Sequence, residues 1–421
     1  MLAPMRAEIP NLRHLRAFRE VAHCRGISAA SERVHLSQPA ITQAIAKLER
    51  QVGTALFERR SGGLRATEAG TLFLGRVERS LAMLRTGARE AVRVGLRKGN
   101  RGFADFDRLL SVAQLRALTA MSDAGNFSIA ARNMGMSQPS IHRAARDLER
   151  LAGVALFGKT SRGIELTPAA QILAQHAKLA FSELRQGFAE IGEYLGLDSG
   201  RIVVGSMPLA RTSILPSAIN ALVSERPQME MRVVDGPYND LLHGLRHGEI
   251  DLLIGALRDP VPVDDVVQER LFDDPLAVVA RAGHPLSGRQ TVTVCDLAAF
   301  PWVVPPEGTP TRGHFDAMLR REGLTPPRGM IETSSLILVR GLLMASDRLT
   351  IISTHQIRHE LELGLFDPLL IDMVGSERPI GVTVRRDWRP TATQKKFLDQ
   401  LRAASRALHP AQAEAAYSEI E

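Results

Sequence analysis

Ser37-Gln38-Pro39-Ala40-Ile41 returns 100 residues later as Ser137-Gln138-Pro139-Ser140-Ile141. The correspondence extends without a gap from Leu15-Arg16-Ala17 against Leu115-Arg116-Ala117, through Leu48-Glu49-Arg50 against Leu148-Glu149-Arg150, to Thr67 against Thr167. Chance does not hold such a register, so the chain contains a duplicated structural unit; two copies are too few for a solenoid.

Each copy reads as helix, helix, tight turn, helix and a two-stranded wing. In the first, Leu15, Phe18, Val21 and Ala22 make an apolar face at helical spacing, and Ser28 is placed to cap a second helix from about Ala29 to Val34. His35-Leu36 forms the turn, Ser37 caps a third helix, and Pro39 sits in its first turn, where a missing amide proton costs least. With Ile41, Ile45 and Leu48 inward, Gln38, Ala40, Thr42, Gln43 and Lys47 lie on or beside the outward face, where a helix in a major groove meets bases and phosphates. Behind its cap Ser137, the second copy presents Gln138, Ser140, His142, Arg143 and Arg146. Ala-Leu-Phe then opens a strand in each copy. The wing tips are basic, with Arg59, Arg60 and Arg65 in the first and Lys159 and Arg162 in the second, and short cationic hairpins suit the phosphate backbone. A single arginine is more often a solvated surface charge. The coincidence of cap, proline, polar face and basic wing, twice in one register, is what points to DNA.

Charge is spread unevenly. Residues 1–100 hold 18 Lys plus Arg against 8 Asp plus Glu, residues 101–200 hold 11 against 10, and the total of +7 leaves the rest at −4. A basic block joined to a mildly acidic remainder suggests a polyanion-binding end and a module with another task. At 421 residues the chain has room for several cores. No apolar run approaches the roughly 18 residues that a span needs, and Met1 to Pro10 lacks the apolar core of a secretory signal, so a cytoplasmic protein with no membrane role is expected. Cys24 and Cys295 stand alone and the 12 histidines are scattered, so neither disulfide, metal nor cofactor is expected, and both thiols read as buried.

At these residues the sequence resembles the LysR-type family of transcription regulators. The resemblance runs through Ser37-Gln38-Pro39-Ala40-Ile41, Leu48-Glu49, Gly53, Leu56-Phe57-Glu58-Arg59 and Ala66-Thr67-Glu68-Ala69-Gly70. The second copy diverges, with Gly158-Lys159 for Glu58-Arg59 and Ala169-Ala170 for Ala69-Gly70. The family ordinarily carries one such module, so the duplication is a departure. Membership implies double-stranded DNA and a small-molecule inducer, a sugar or an organic acid, as partners. It also implies a homo-oligomer of at least two chains, RNA polymerase as a further partner if the protein activates, and no catalysis.

After each wing a proline-free stretch, about 68–97 and 169–195, predicts a long helix. Leu173, Ala177, Ala180, Leu184, Phe188, Ile191 and Leu195 alternate spacings of three and four, the seam of a coiled coil or antiparallel pair. The resemblance makes this a dimerisation helix. Phe73, Val77, Leu81, Leu84, Ala88 and Ala91 sketch a weaker seam, which packing on the chain's own wing domain explains as well. Lys98-Gly99-Asn100-Arg101-Gly102 reads as the junction.

From Gly200 short strands alternate with helices, beginning with Arg201-Ile202-Val203-Val204-Gly205, then residues 229–234 and 250–255. Leu215-Pro216, Glu225-Arg226-Pro227, Gly248-Glu249-Ile250-Asp251 and His284-Pro285-Leu286 resemble the LysR effector domain, which is similar to two-lobed type 2 periplasmic binding proteins. Gly236-Pro237-Tyr238, Arg312-Gly313-His314-Phe315 and Arg389-Pro390-Thr391 resemble the galactose-binding protein regulator branch. Crossings between lobes are placed near Leu271-Phe272 and Val374-Gly375. Ser206, Met207 and Tyr238 from lobe one, and Thr309, Arg312, Thr333, Ser334 and Ser335 from lobe two, are the candidate effector contacts. Helix capping explains each hydroxyl equally well, and a salt bridge within the lobe is the commoner fate of such an arginine.

The expected architecture is multidomain: two α-rich winged helix-turn-helix domains with long linker helices, then an α/β two-lobed domain. The boundaries are 10–68 for the first module, 69–108 for its linker helix and junction, 109–168 for the second and 169–197 for its linker. The effector domain takes 200–405, with lobe one about 200–271 and 375–405 and lobe two about 272–374, and 406–421 form a tail. An enzyme is the competing class, but there is no Gly-rich phosphate loop, nucleophile elbow or metal-spaced histidine pair. A second reading keeps DNA binding to the first module and makes the second a protein-interaction or dimerisation surface.

Overall fold

A computed structural model describes residues 8–95, 105–160, 163–197, 200–373 and 375–408. The expected junction at 98–102, the wing residue Arg162 and Val374 lie outside them. The chain forms two units, one essentially the first 201 residues and the other nearly all that follows.

In the first unit, α1 (Leu12–Cys24), α2 (Ile27–Val34), α3 (Gln38–Val52), β1 (Phe57–Arg60), β2 (Gly63–Ala66) and α4 (Glu68–Gly95) follow one another. The second copy repeats them as α5 (Val112–Ala124), α6 (Phe127–Met134), α7 (Gln138–Ala152), β3 (Phe157–Thr160), β4 (Gly163–Leu166) and α8 (Pro168–Tyr194). One expected cap differs: Gly26, in extended conformation, opens α2, and Ser28 falls inside its first turn. The tight turn puts His35 at φ 53, and the second copy places Gly135 there. The strain that a side chain bears in that left-handed region is thus confined to the first copy.

The Leu-Glu signature has a physical reason. Glu49 Oε1 accepts the amide protons of Leu56 at 2.9 Å and Phe57 at 3.4 Å, and Glu149 does the same for Leu156 at 2.9 Å and Phe157 at 3.1 Å. Each third helix therefore fixes where its wing begins. Thr67 Oγ1 and Thr167 Oγ1 each donate to an alanine carbonyl, Ala55 or Ala155, at 2.8 Å. Behind the wing, Gly70 lies so close to the Leu56 carbonyl that a Cβ would stand 2.1 Å from its oxygen.

Ile41, Ile45 and Leu48 are buried with Leu15, Phe18 and Val21, and the same apolar cluster continues into the second copy. Phe18 contacts Phe73 at 5.8 Å between ring centroids, and Phe73 contacts Phe188 at 5.5 Å. Both seams are buried except at Leu195, which follows the end of α8 and is exposed. α4 packs on its own wing domain, Phe73 against Phe18, as well as on α8.

The second unit carries two five-stranded sheets. Its strands are β5 (Arg201–Ser206), β6 (Glu230–Asp235), β7 (Leu252–Ala256), β8 (Val266–Asp274), β9 (Leu276–Arg281), β10 (Trp302–Val304), β11 (Ile331–Glu332), β12 (Leu349–Ser353), β13 (Phe366–Pro368) and β14 (Arg378–Arg385). Its helices are α9 (Ile214–Glu225), α10 (Tyr238–Arg246), α11 (Val294–Ala298), α12 (Pro310–Arg321), α13 (Leu336–Met344), α14 (Arg358–Glu362) and α15 (Ala392–Leu408). One sheet has the order β6-β5-β7-β14-β8 and the other β11-β10-β12-β9-β13. β5 pairs β7 in parallel, as a crossover requires, whereas β14 runs antiparallel to both β7 and β8.

The chain changes sheet at Pro275, between β8 and β9, a few residues past the expected crossing near Leu271-Phe272. β8 keeps its ladder with β14 as far as Asp274 opposite Arg378, which holds it in the first sheet three residues past Leu271. One thiol expectation fails. Cys24 is half-buried and Cys295, in short α11, is exposed.

Candidate nucleic-acid interface and effector cleft

Ser37 Oγ accepts the Ala40 amide proton at 3.4 Å and Ser137 Oγ that of Ser140 at the same distance, so both third helices open on the expected cap with proline in the first turn. Gln38, Pro39, Thr42, Gln43 and Lys47 are exposed and Ala40 is half-buried; Gln138, Ser140, His142 and Arg143 are exposed too. Thr42 Oγ1 turns back to the Gln38 carbonyl at 3.0 Å, leaving Gln43 and Lys47 as the freer outward groups. Arg146 is half-buried and tied to Glu149 at 2.6 Å. The first wing exposes Arg59, Arg60 and Arg65, with Arg60 held to Glu58 at 2.8 Å. Lys159 lies in β3, and Arg162 is outside the described residues.

In the second unit a cleft of about 610 Å³ opens between the ends of the two sheets. Of the eight candidate contacts, Thr309 and Arg312 line it. Thr309 is engaged as the cap of α12, accepting from the Arg312 amide at 3.3 Å and donating to the Pro306 carbonyl at 2.8 Å. Arg312 is buried and serves its own lobe, reaching Asp316 at 2.9 Å, Glu332 at 3.2 Å and Glu307 at 3.8 Å. Ser206 is buried and donates to the Met207 carbonyl at 3.3 Å, and the Met207 side chain lies against Gly255. Thr333 Oγ1 accepts from the Ser335 amide at 3.1 Å, Ser335 caps α13, and Ser334 is exposed. These five residues do not line the cleft.

Beside Arg312, two cations not singled out from sequence line the cleft, Arg258 and Arg378. The Arg258 guanidinium lies 4.4 Å over the Tyr238 ring, and no carboxylate pairs with it among the described residues. Burial pulls its pKa below the usual arginine range; Tyr238 opposes that pull and Arg378 adds to it. Burial in turn pushes the Tyr238 phenol up, and its hydroxyl has no hydrogen-bond partner among the described residues. Arg378 is buried, bonded to Asp274 and Thr311. His314, on the cleft wall, is held below the usual imidazole range by burial and then by Arg378 and Arg321. Arg258 follows the end of β7, so inspecting every expected strand end for a cation was the available signal.

Among the described residues no group of three His, Cys, Asp or Glu side chains is placed to hold a metal, and no helix is long and apolar enough to cross a membrane.

The bacterial regulatory helix-turn-helix model of the lysR family matches twice, at residues 12–71 and 112–171, and the LysR substrate binding domain matches residues 195–406. The chain is 34% identical over 378 residues to the HTH-type transcriptional regulator GalR of Pseudomonas putida, covering 90% of this chain and 93% of that protein. It is 29% identical over 244 residues to the regulator GbpR of Azospirillum brasilense, covering 58% of this chain and 71% of that protein. Full-length OxyR from Pseudomonas aeruginosa, in a variant form, shares the fold with a TM-score of 0.51 at 22% identity, over 70% of this chain and 95% of that one. The protein belongs to the LysR family: it is a transcription regulator with an effector-binding domain, not an enzyme.

Proposed function

We propose that both winged modules contact DNA and that an anionic small molecule, an organic acid in preference to a neutral sugar, binds in the cleft of the effector domain. The observation that carries the DNA reading is the repeated exposure of one polar helix face. In α3 and α7 alike, the apolar residues turn inward, the cap is spent on the helix, and Gln43 or Arg143 is left outward. That exposure speaks against the second module serving only as a protein-interaction surface.

Arg258 supports the anionic effector. A half-buried guanidinium stacked on a phenol and lacking a carboxylate gains a charge-assisted, two-pronged bond when a carboxylate ligand arrives. Thr309, Arg312, Ser206, Met207, Tyr238, Thr333, Ser334 and Ser335 then divide: Tyr238 orients Arg258, and the others shape the lobes. Ligand binding biases the relation of the lobes and through it promoter affinity; where the outcome is activation, RNA polymerase is the further partner. The test is DNA binding by the purified chain to genomic fragments at graded salt, with and without a panel of organic acids and sugars. Binding at no fragment at low salt would sink the first part, and a response to neutral sugars alone the second.

A further inference from the structure

The seam helices of the two copies are partners of each other. A Cβ added to Gly87 of α4 would stand 2.5 Å from His176 Cβ of α8, and one added to Gly187 of α8 would stand 3.1 Å from Arg76 Cβ of α4. Stepping from 87 back to 76 on one helix therefore steps from 176 forward to 187 on the other, so the helices run antiparallel. Residues 87 and 187 are equivalent across the repeat, as are 76 and 176. Exchanging the copies turns the first contact into the second, which is the signature of a two-fold interface. The polar contacts obey the same exchange. Arg76 Nε donates to Glu190 Oε2 at 2.9 Å, and the equivalent pair, His176 and Glu90, lies at 3.9 Å.

Where the two halves differ, they differ in the direction of unlike pairing. Arg76 also reaches Glu183 at 2.9 Å and Gln186 at 2.7 Å, and Arg79 reaches Glu183 at 3.0 Å. The equivalents of Glu183, Gln186 and Arg79 are Met83, Thr86 and Leu179. Two α8 helices paired together would set a buried Glu183 against leucine and histidine, and two α4 helices would leave Arg79 facing methionine; a buried charge stripped of its partner is strongly disfavoured. The 16 residues between α4 and α5 keep the correct partner at high effective concentration.

We infer that one chain builds, from α4 paired with α8, a complete pseudo-two-fold DNA-binding head, and that it reads two inverted half-sites of unlike sequence. The two-fold relation inverts the half-sites. Their sequences differ because the outward faces do: Ala40 against Ser140, Thr42 against His142, Gln43 against Arg143, Ala46 against Arg146 and Lys47 against Asp147. This rests on both modules contacting DNA.

The test is selection of binding sites from random duplexes by the full chain, with native mass spectrometry counting chains per selected duplex. The expected product is an interrupted inverted pair of dissimilar half-sites, held at one chain per pair, with scrambling of either half costing about tenfold or more in affinity. The variant Ala40→Ser/Thr42→His/Gln43→Arg/Ala46→Arg/Lys47→Asp gives the first module the face of the second, and its selected site is expected to become a palindrome of the second half. Two chains per pair, or an unchanged site for the variant, would overturn the inference while leaving DNA binding standing. Failure to select any duplex would overturn DNA binding itself, and the inference with it.

Discussion

Arg76 Nη1 donates to Glu183 Oε2 at 2.9 Å, and both side chains are almost wholly removed from water. Removing Glu183 strips Arg76 of one of its two carboxylates, Glu190 remaining, and takes a buried carboxylate from Arg79, so Glu183→Leu is expected to lower stability by about 1.5–3 kcal/mol. Glu183→Gln, which keeps shape and some hydrogen bonding, is expected to cost less. Urea denaturation of both variants checks the order.

The backbone contact at Gly70 carries a second expectation. A side chain there collides with the Leu56 carbonyl, so Gly70→Val should destabilise by about 1–3 kcal/mol or more, seen as a lower melting temperature. The second copy has Ala170 at the equivalent place, where the amide bonds Thr167 at 3.3 Å instead of the 2.9 Å between Gly70 and Thr67. Gly70→Ala should therefore be milder than Gly70→Val.

On the DNA side, Gln43→Ala and Arg143→Ala are each expected to cost about 1–3 kcal/mol of operator affinity and to relax specificity in one half-site. Arg59→Ala and Arg65→Ala should weaken all sequences alike and reduce the salt slope by about 1 each. Arg146, committed to Glu149, should matter less than Arg143. Fluorescence anisotropy across a salt series separates these outcomes; equal losses at Arg146 and Arg143 would contradict the assignment.

Arg258→Ala is expected to remove about 1.5–3 kcal/mol of affinity for a carboxylate effector, roughly 10- to 150-fold, without unfolding the lobe. Arg312→Ala should instead lower the melting temperature, since three carboxylates surround that guanidinium. Calorimetric titration and thermal melting on both variants distinguish a ligand contact from a structural one.

Acid should destabilise the protein. His14, His284, His314 and His355 are all held below the usual imidazole range, first by burial. Between that lowered value and the ordinary value near 6.5, the unfolded chain binds more protons than the folded one. Their contribution is thus complete above about pH 6.5 and is lost as pH falls through the folded-state values. Urea midpoints measured between pH 7.5 and 5.5 should decline, and His314→Gln should flatten the slope.

What could be read from sequence was what local chemistry decides. Ser37 and Ser137 cap, Pro39 and Pro139 tolerate the first turn, and Ile41 and Ile141 turn inward because those outcomes depend on neighbours within one turn of helix. The Glu49 clamp on the wing and the choice of α8 as partner for α4 depend on residues brought together only by folding. The effector cleft was the least legible part. Thr309 and Ser335 are spent on capping, and Arg312 on its own lobe, whereas Arg258 gains meaning only from Tyr238 beneath it. The passage at Pro275 was displaced because a ladder with β14 sets where β8 ends, and that partner lies some 100 residues away.

The antiparallel seam has a consequence for scarce proteins. A DNA-binding form assembled from separate chains falls apart on dilution, and its occupancy drops with the square of the concentration. On the inference that both modules read DNA, their tie through one polypeptide exempts them from that mass-action loss, and a handful of molecules per cell would fill an operator in simple proportion to their number.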